Sequence, residues 1–290
     1  MKPILFIAAL LVICPLGYAQ ENDYKPVDFP IGYESQIDVI YTRVNGWEGR
    51  MDVYFNPLAS EPTPVVINIH GGGWNHGEKE SQTGYGSFFK NGYAVVNVEY
   101  RLVDVAPAPA AIEDVRCALI YIYKNAEALH IDTSRIVVMG GSSGGHLALM
   151  AGLLGDDKSF DNNCFYDGEI KVAAIYDKYG PTDLTLLKDW GSAKRWLGKG
   201  KDSNKFVESV SPLYHVDANS PPVFIEHGTA DPIVPYEQSL LLYEKLKANG
   251  VKAELVQIEG GAHGKFSKEQ KLEVNTRLWS FLGKLGLTKK

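Results

Sequence analysis

The sequence predicts an α/β fold: an eight-stranded, mostly parallel sheet with helices on both faces. Two observations carry this. Short β-rich runs alternate with longer segments of helical period, the signature of a sheet whose parallel strands are joined by helical crossovers. The segment from Leu147 to Leu154 is apolar nearly all round, as a helix pressed against a sheet must be.

In chain order, strands are predicted at Gln36–Thr42, Met51–Phe55, Val65–Ile69, Ala94–Tyr100, Arg135–Met139, Val172–Tyr176, Val223–Glu226 and Ala253–Ile258. The first two lie close enough to form an antiparallel hairpin. Helices are predicted at Pro109–Lys124, Leu147–Leu154, Tyr236–Ala248 and Lys268–Leu285. In the first of these, Ile112, Val115, Ala118 and Leu119 are spaced along one helix face. The stretch from Pro181 to His215 lies between two strands and is richer in Lys, Asp and Trp, so it reads as a small lid insertion. No repeat, low-complexity tract or long linker marks a boundary, and residues 20–290 are read as a single domain.

Residues 1–19 carry one basic residue, Lys2, an apolar run from Ile4 to Cys14, and small residues at Gly17 and Ala19. This reads as a secretory signal cut after Ala19, which makes the protein secreted or periplasmic. Lipidation at Cys14 would want a small residue before it, where Ile13 stands. The apolar run is shorter than the roughly 20 residues that span a bilayer, so stable membrane insertion is not expected. Signal removal leaves 28 of the 29 basic residues against 35 acidic ones, a net charge of -7. With no Lys/Arg cluster in addition, nucleic acid is not an expected partner. Cys117 and Cys164 remain. Their spacing matches no metal site and neither has a Cys nearby, so they read as free or buried thiols, although an exported location permits a disulfide.

Four features carry chemistry. The stretch MGGSSGGH, Met139 to His146, runs from a β-rich segment into an apolar helix and fits G-x-S-x-G in two registers, centred on Ser142 and on Ser143. A sharp strand-to-helix turn of this kind lifts a nucleophilic hydroxyl above the sheet edge, with small flanking residues because the two arms nearly touch. Glycines meet that need in either register, so local chemistry leaves the choice open. HGGGW, His70 to Trp74, follows a predicted strand, and its backbone N–H groups can turn toward one developing oxyanion. It is neither a dinucleotide fingerprint nor a P-loop. Asp231 in HGTADPIVP and His263 in GGAHG each follow a later strand, so serine, acid and histidine arrive in one order at one sheet edge. His70, His76, His146 and His227 are scattered without ligand-like spacing. No metal or cofactor is expected, and His70 and His227 read as hydrogen-bonding supports for their loops.

Together HGGGW, YRL at Tyr100 to Leu102, GGSSGGHLAL, YGPTDL at Tyr179 to Leu184, HGTADPIVP and GGAHG resemble an α/β-hydrolase of the esterase and lipase superfamily, in its bacterial feruloyl-esterase-like branch. The likeness runs from about residue 35 to the C-terminus. Relatives carry G-x-S-A-G-G, which laid on this sequence makes Ser142 the nucleophile and puts Ser143 in the place of the alanine. The resemblance implies Asp231 and His263 as the other triad members. It implies Gly72, Gly73 and Ser143 as oxyanion donors, with Trp74 a substitute for Gly72. Some relatives place the acid after the preceding strand, which makes Asp177 the rival. Trp74, Tyr179, Trp190 and Trp196 are candidates to line an aromatic acyl or sugar site.

The implied activity is carboxylic-ester hydrolysis through an acyl-enzyme. The short segment before the first strand leaves no helical cap there, and an open cleft suits feruloyl or acetyl esters on plant polysaccharide. A broad short-chain carboxylesterase, a formamidase-type amide hydrolase and a catalytically inactive binding module are the alternatives. An oligopeptidase would need an N-terminal propeller.

Overall fold

The structure, a computed structural model, describes residues 25–288; the predicted signal, its cut after Ala19 and Cys14 lie outside the described residues. The elements run β1 (Glu34–Val44), β2 (Trp47–Phe55), β3 (Thr63–Ile69), α1 (Gly86–Lys90), β4 (Ala94–Val98), α2 (Ala110–Asn125), β5 (Ile131–Gly141), α3 (Ser143–Leu153) and β6 (Ala174–Lys178). After β6 come α4 (Gly191–Leu197), α5 (Asn204–Ser209), β7 (Val223–Gly228), α6 (Glu237–Ala248), β8 (Ala253–Ile258) and α7 (Lys268–Lys284).

The eight strands form one sheet in the order β1-β2-β4-β3-β5-β6-β7-β8. The pairs β1·β2 and β2·β4 are antiparallel, and every other neighbouring pair is parallel. The hairpin turns at Asn45 and Gly46, both with positive φ (50° and 86°), which suits the right-handed twist of the flanking strands. β3 lies in the sheet interior, and all seven of its residues are buried. A strand covered on both faces reads as a continuous apolar run, which is why it was legible.

Two apolar layers sandwich the sheet. One packs α2, α3 and α6 with the segment after β6, and the other packs α1 and α7. Every residue of α3 is buried, because the sheet covers one side and α2 and the turn Pro212–His215 cover another. On α2 the predicted face is the buried one, with Ile112, Val115, Ala118 and Leu119 at most 2% exposed. Burying Ile112, Val115 and Leu119 contributes roughly 1.5–3 kcal/mol of transfer free energy each, and Ala118 less. α7 starts at a capping box between Ser267 and Gln270, which supplies two of the first turn's unpaired groups with partners.

Several sequence expectations change. β5 begins at Ile131 and α3 at Ser143, each four residues before its expected start. β6 pairs from Ala174 to Lys178, two residues later than expected, because its register with β5 starts at Val137↔Ala174. The strand expected to reach Tyr100 stops at Val98. Cys117 and Cys164 are not free thiols but form a disulfide. The chain after α3 folds back over α2 and brings the two Cα atoms to 5.5 Å across 47 residues of sequence, a proximity that no local pattern encodes.

Candidate active site

β5 runs straight into α3 through Ser142, whose backbone has φ 56° and ψ -124°, a conformation non-glycine residues seldom adopt. Close packing holds it there. A Cβ on Gly140 would meet the carbonyl oxygen of Gly144 at 2.2 Å, and a Cβ on Gly144 would meet that of Ile69 at 2.2 Å. The two arms of the turn therefore touch at Gly140 and Gly144, the glycines two positions either side of Ser142. The Ser142 N–H donates to the Lys178 carbonyl at 2.9 Å, tying the turn to the end of β6. Ser142 borders a cleft of about 930 Å³. Ser143 also touches the cleft, but it begins α3, is 1% exposed, and its hydroxyl lies 3.5 Å from that of Tyr100 in the interior.

Asp231 and His263 come from the loops after β7 and β8. These loops pack backbone on backbone: a Cβ on Gly228 would meet the Gly261 carbonyl oxygen at 2.1 Å, and the Ala230 N–H donates to that oxygen at 3.0 Å. The approach lets His263 Nδ1 donate to Asp231 Oδ2 at 2.7 Å. The Asp231 side chain is fully buried, whereas that of His263 keeps 16% exposure and lines the cleft. Asp231 Oδ1 accepts the N–H groups of Ile233 and Val234 at 2.8 and 3.0 Å. Burial alone would raise this carboxyl. The hydrogen bonds from His227, His263 and the two amides outweigh it and hold Asp231 well below the usual carboxylate range.

His227 is more than a loop support. Its Nδ1 lies 2.7 Å from the Ser239 hydroxyl, and its Nε2 lies 3.0 Å from the Val234 carbonyl and 3.3 Å from Asp231 Oδ2. Nε2 faces two acceptors, so it carries a proton. The ring thus bears on the same carboxylate oxygen as His263. Its position four residues before Asp231 was the signal that sequence reading left unused.

Asp177 does not reach this arrangement. Its Oδ1 accepts the Gly180 N–H at 3.0 Å and its Oδ2 has no partner among the described residues. Burial pushes this carboxyl up to about 7, against the smaller lowering effects of His227 and the Gly180 amide. His70 stacks on Tyr100 at 4.3 Å and donates from Nδ1 to the Gly71 carbonyl, while His146 is buried on α3 beside Val210. Burial lowers both rings to about 4, which keeps them neutral. Among the described residues no group of three or more His, Cys, Asp and Glu could hold a metal ion, and no helix is long and apolar enough to cross a membrane.

The HGGGW loop forms one wall of the cleft. Gly72 and Gly73 have φ of 122° and 58°, and their N–H groups donate to no main-chain acceptor among the described residues. The insertion docks directly on this loop: Asn75 Nδ2 donates to Ser192 Oγ at 3.1 Å, and Gly73 abuts Ser192. The aromatic candidates divide. Trp74 is 3% exposed and stacks on Trp196 at 4.8 Å, and Trp196 itself is fully buried, so these rings clamp the insertion to the HGGGW loop. Tyr179 leans its ring on that of His263, with centroids 4.7 Å apart. Trp190, 55% exposed, and Ile233, 61% exposed, form an apolar lip on the same cleft.

This framework is shared with known proteins. The chain is 28% identical over 222 residues to esterase LipC of Mycobacterium tuberculosis, a match that takes in 71% of this chain and 54% of LipC. The chain thus spans about half the length of the curated relatives it matches. A truncated carbohydrate esterase from gut microbiota superposes with a TM-score of 0.75 at 27% identity, over 86% of this chain and 97% of the other. An acetyl ester-xyloside bifunctional hydrolase from Caldicellulosiruptor lactoaceticus gives 0.75 at 27%, over 84% and 91%. The fold is that of the α/β-hydrolases. The BD-FAE family model matches residues 51–246, from β2 through most of α6 and across the whole site apart from His263, and the chain belongs to the BD-FAE family.

Proposed function

We propose that the protein is an exported serine carboxylic-ester hydrolase that works through an acyl-enzyme and removes feruloyl or acetyl groups from plant carbohydrate. The observation that carries the proposal is the 2.7 Å hydrogen bond from His263 to Asp231 at a cleft that also contains Ser142 in its strained turn. Ser142 Oγ attacks the ester carbonyl while His263 Nε2 takes its proton. Asp231 holds the imidazole tautomer and stabilises the imidazolium. The N–H groups of Ser143, Gly72 and Gly73 receive the oxyanion, each contributing roughly a hundredfold to a thousandfold in rate. Collapse expels the alcohol with the proton from His263. Water deprotonated by His263 then attacks the acyl carbonyl and releases the acid.

Two observations support the carbohydrate assignment. The similar solved structures include carbohydrate esterases, and the cleft combines the exposed face of Trp190 with an opening wide enough for a bulky carrier. The Cys117–Cys164 disulfide supports export, because such bonds persist in oxidising compartments.

The test is a panel of p-nitrophenyl acetate, methyl ferulate, acetylated xylan and N-formylkynurenine. Ser142→Ala is expected to lower kcat by as much as a millionfold, whereas Ser143→Ala keeps its backbone N–H and stays close to wild type. The reverse result would move the nucleophile to Ser143. Turnover of N-formylkynurenine alone would make the protein an amide hydrolase. Tight xylan binding without any turnover would make it a binding module.

A further inference from the structure

A second cavity, of about 280 Å³, lies on the opposite face of the sheet from α3, between α1, α7 and the C-terminal ends of β5, β6 and β7. Crevices at the carboxyl ends of parallel strands are where open α/β sheets take ligands. The floor is apolar and aromatic, from Phe88, Tyr176 and Phe266, and the polar lining includes Lys178, Glu226 and Lys271. Lys178 and Glu226 face each other across β6 and β7, and the Lys178 ammonium lies 5.2 Å above the Tyr176 ring. Their charges offset one another, which leaves Lys271 as one positive charge in excess. The volume lies just below the roughly 300–1,000 Å³ range of drug-sized ligand sites, which suits a smaller molecule.

The wall between this cavity and the catalytic cleft is one residue thick. Lys178 and Tyr179 line both. The Tyr179 and His263 ring centroids lie 4.7 Å apart, and the Tyr179 hydroxyl lies where a Cβ on Gly264 would come within 2.5 Å. Gly264 itself lines the second cavity, so an occupant there touches both the residue after His263 and the ring packed on it.

We propose that this cavity binds a small aromatic monocarboxylate, its carboxylate on Lys271 and its ring against Phe88 and Phe266, and that occupancy is transmitted to His263 through Tyr179. A monocarboxylate matches the single excess positive charge, and an aromatic body matches the floor. Such an acid is also the product class of the proposed esterase, so the kinetic consequence, product restraint from outside the cleft, rests on that reading.

Benzoate is the probe, titrated by calorimetry into wild type, Lys271→Gln and Gly84→Trp. Gly84 lines the cavity and a Cβ there would meet no atom within 4 Å, so the backbone accepts a tryptophan, placed to obstruct the cavity mouth. Wild type should bind benzoate, Lys271→Gln at least tenfold more weakly, and Gly84→Trp not measurably. The His263 imidazole NMR signal should shift on titration in wild type and stay still in Gly84→Trp. In hydrolysis of p-nitrophenyl acetate, benzoate should lower kcat and leave KM unchanged. No binding to wild type, equal affinity in all three proteins, a stationary His263 signal, or purely competitive inhibition would each overturn the proposal. Calorimetry and NMR do not depend on turnover, so a failure of the esterase reading shows separately, as inactivity on every ester with benzoate binding intact.

Discussion

Asp231 and Asp177 are buried carboxylates at the C-terminal ends of neighbouring strands, and their surroundings drive them in opposite directions. Asp231 accepts two backbone amides and bears two histidine rings, which together outweigh its burial and keep it ionised. Asp177 has the Gly180 amide on one oxygen and, among the described residues, no partner on the other, so burial prevails and lifts it to about 7. Depth is therefore not what makes an acid useful here; the number of donors aimed at it is. A carboxylate that must stabilise an imidazolium has to be charged beforehand, and of the two only Asp231 is charged throughout the working range.

The sharpest attempt to break this contrast is Asp231→Asn, expected to lower kcat by roughly ten-thousandfold through the wrong His263 tautomer. The carboxylate sits below its ordinary value in the folded state, so its stabilisation is complete above that value, near 3.8, and is lost as pH falls below it. Melting temperature in acid should therefore fall less steeply in the variant than in wild type. If Asp177→Asn shows the large kinetic loss instead, the two roles are exchanged.

A smaller effect is expected from His227→Ala. It removes a hydrogen bond to a charged group, worth about 1.5–3 kcal/mol, and should lower kcat about ten- to a hundredfold while leaving KM near wild type. A loss confined to melting temperature would show that the ring only supports its loop. The smallest kinetic effect belongs to Asp177→Asn, which should turn over at close to the wild-type rate. Its signature is in stability. A carboxyl raised from 3.8 to about 7 in the folded state makes its contribution to stability in full below pH 4 and loses it as pH rises toward 7. The asparagine variant should lack that decline in melting curves taken between pH 4 and 8.

Much of the fold was legible because burial writes itself into periodicity. β3 and α3 are buried throughout and read as largely apolar runs, β3 broken by Asn68 and α3 apolar from Leu147 on, and α2 shows its buried face at helical spacing. α1, α4 and α5 are no more than seven residues long and gave no comparable pattern. Among the site residues, Ser142, Asp231 and His263 stood out because each follows a strand and is flanked by turn residues. Trp74 and Trp196 were harder to place, since an aromatic beside a glycine loop reads the same whether it faces a ligand or packs against a partner 122 residues away in sequence.

By itself the sequence determined the order of strands and helices and the arrival of serine, acid and histidine at one sheet edge. Both depend on patterns of a few residues, set by side-chain period and backbone preference. The tertiary structure decided what depends on distant neighbours. The carbonyl oxygens of Gly144 and Ile69 crowd Gly140 and Gly144 and make Ser142 the strained residue. The Gly228–Gly261 contact delivers His263 to Asp231 and not to Asp177, and the return of the chain over α2 joins Cys117 to Cys164. Apart from the Gly140–Gly144 approach within the turn itself, these are contacts between segments far apart in sequence, where a backbone approach that leaves no room for a Cβ, or a donor at 2.7 Å, decides between locally similar candidates.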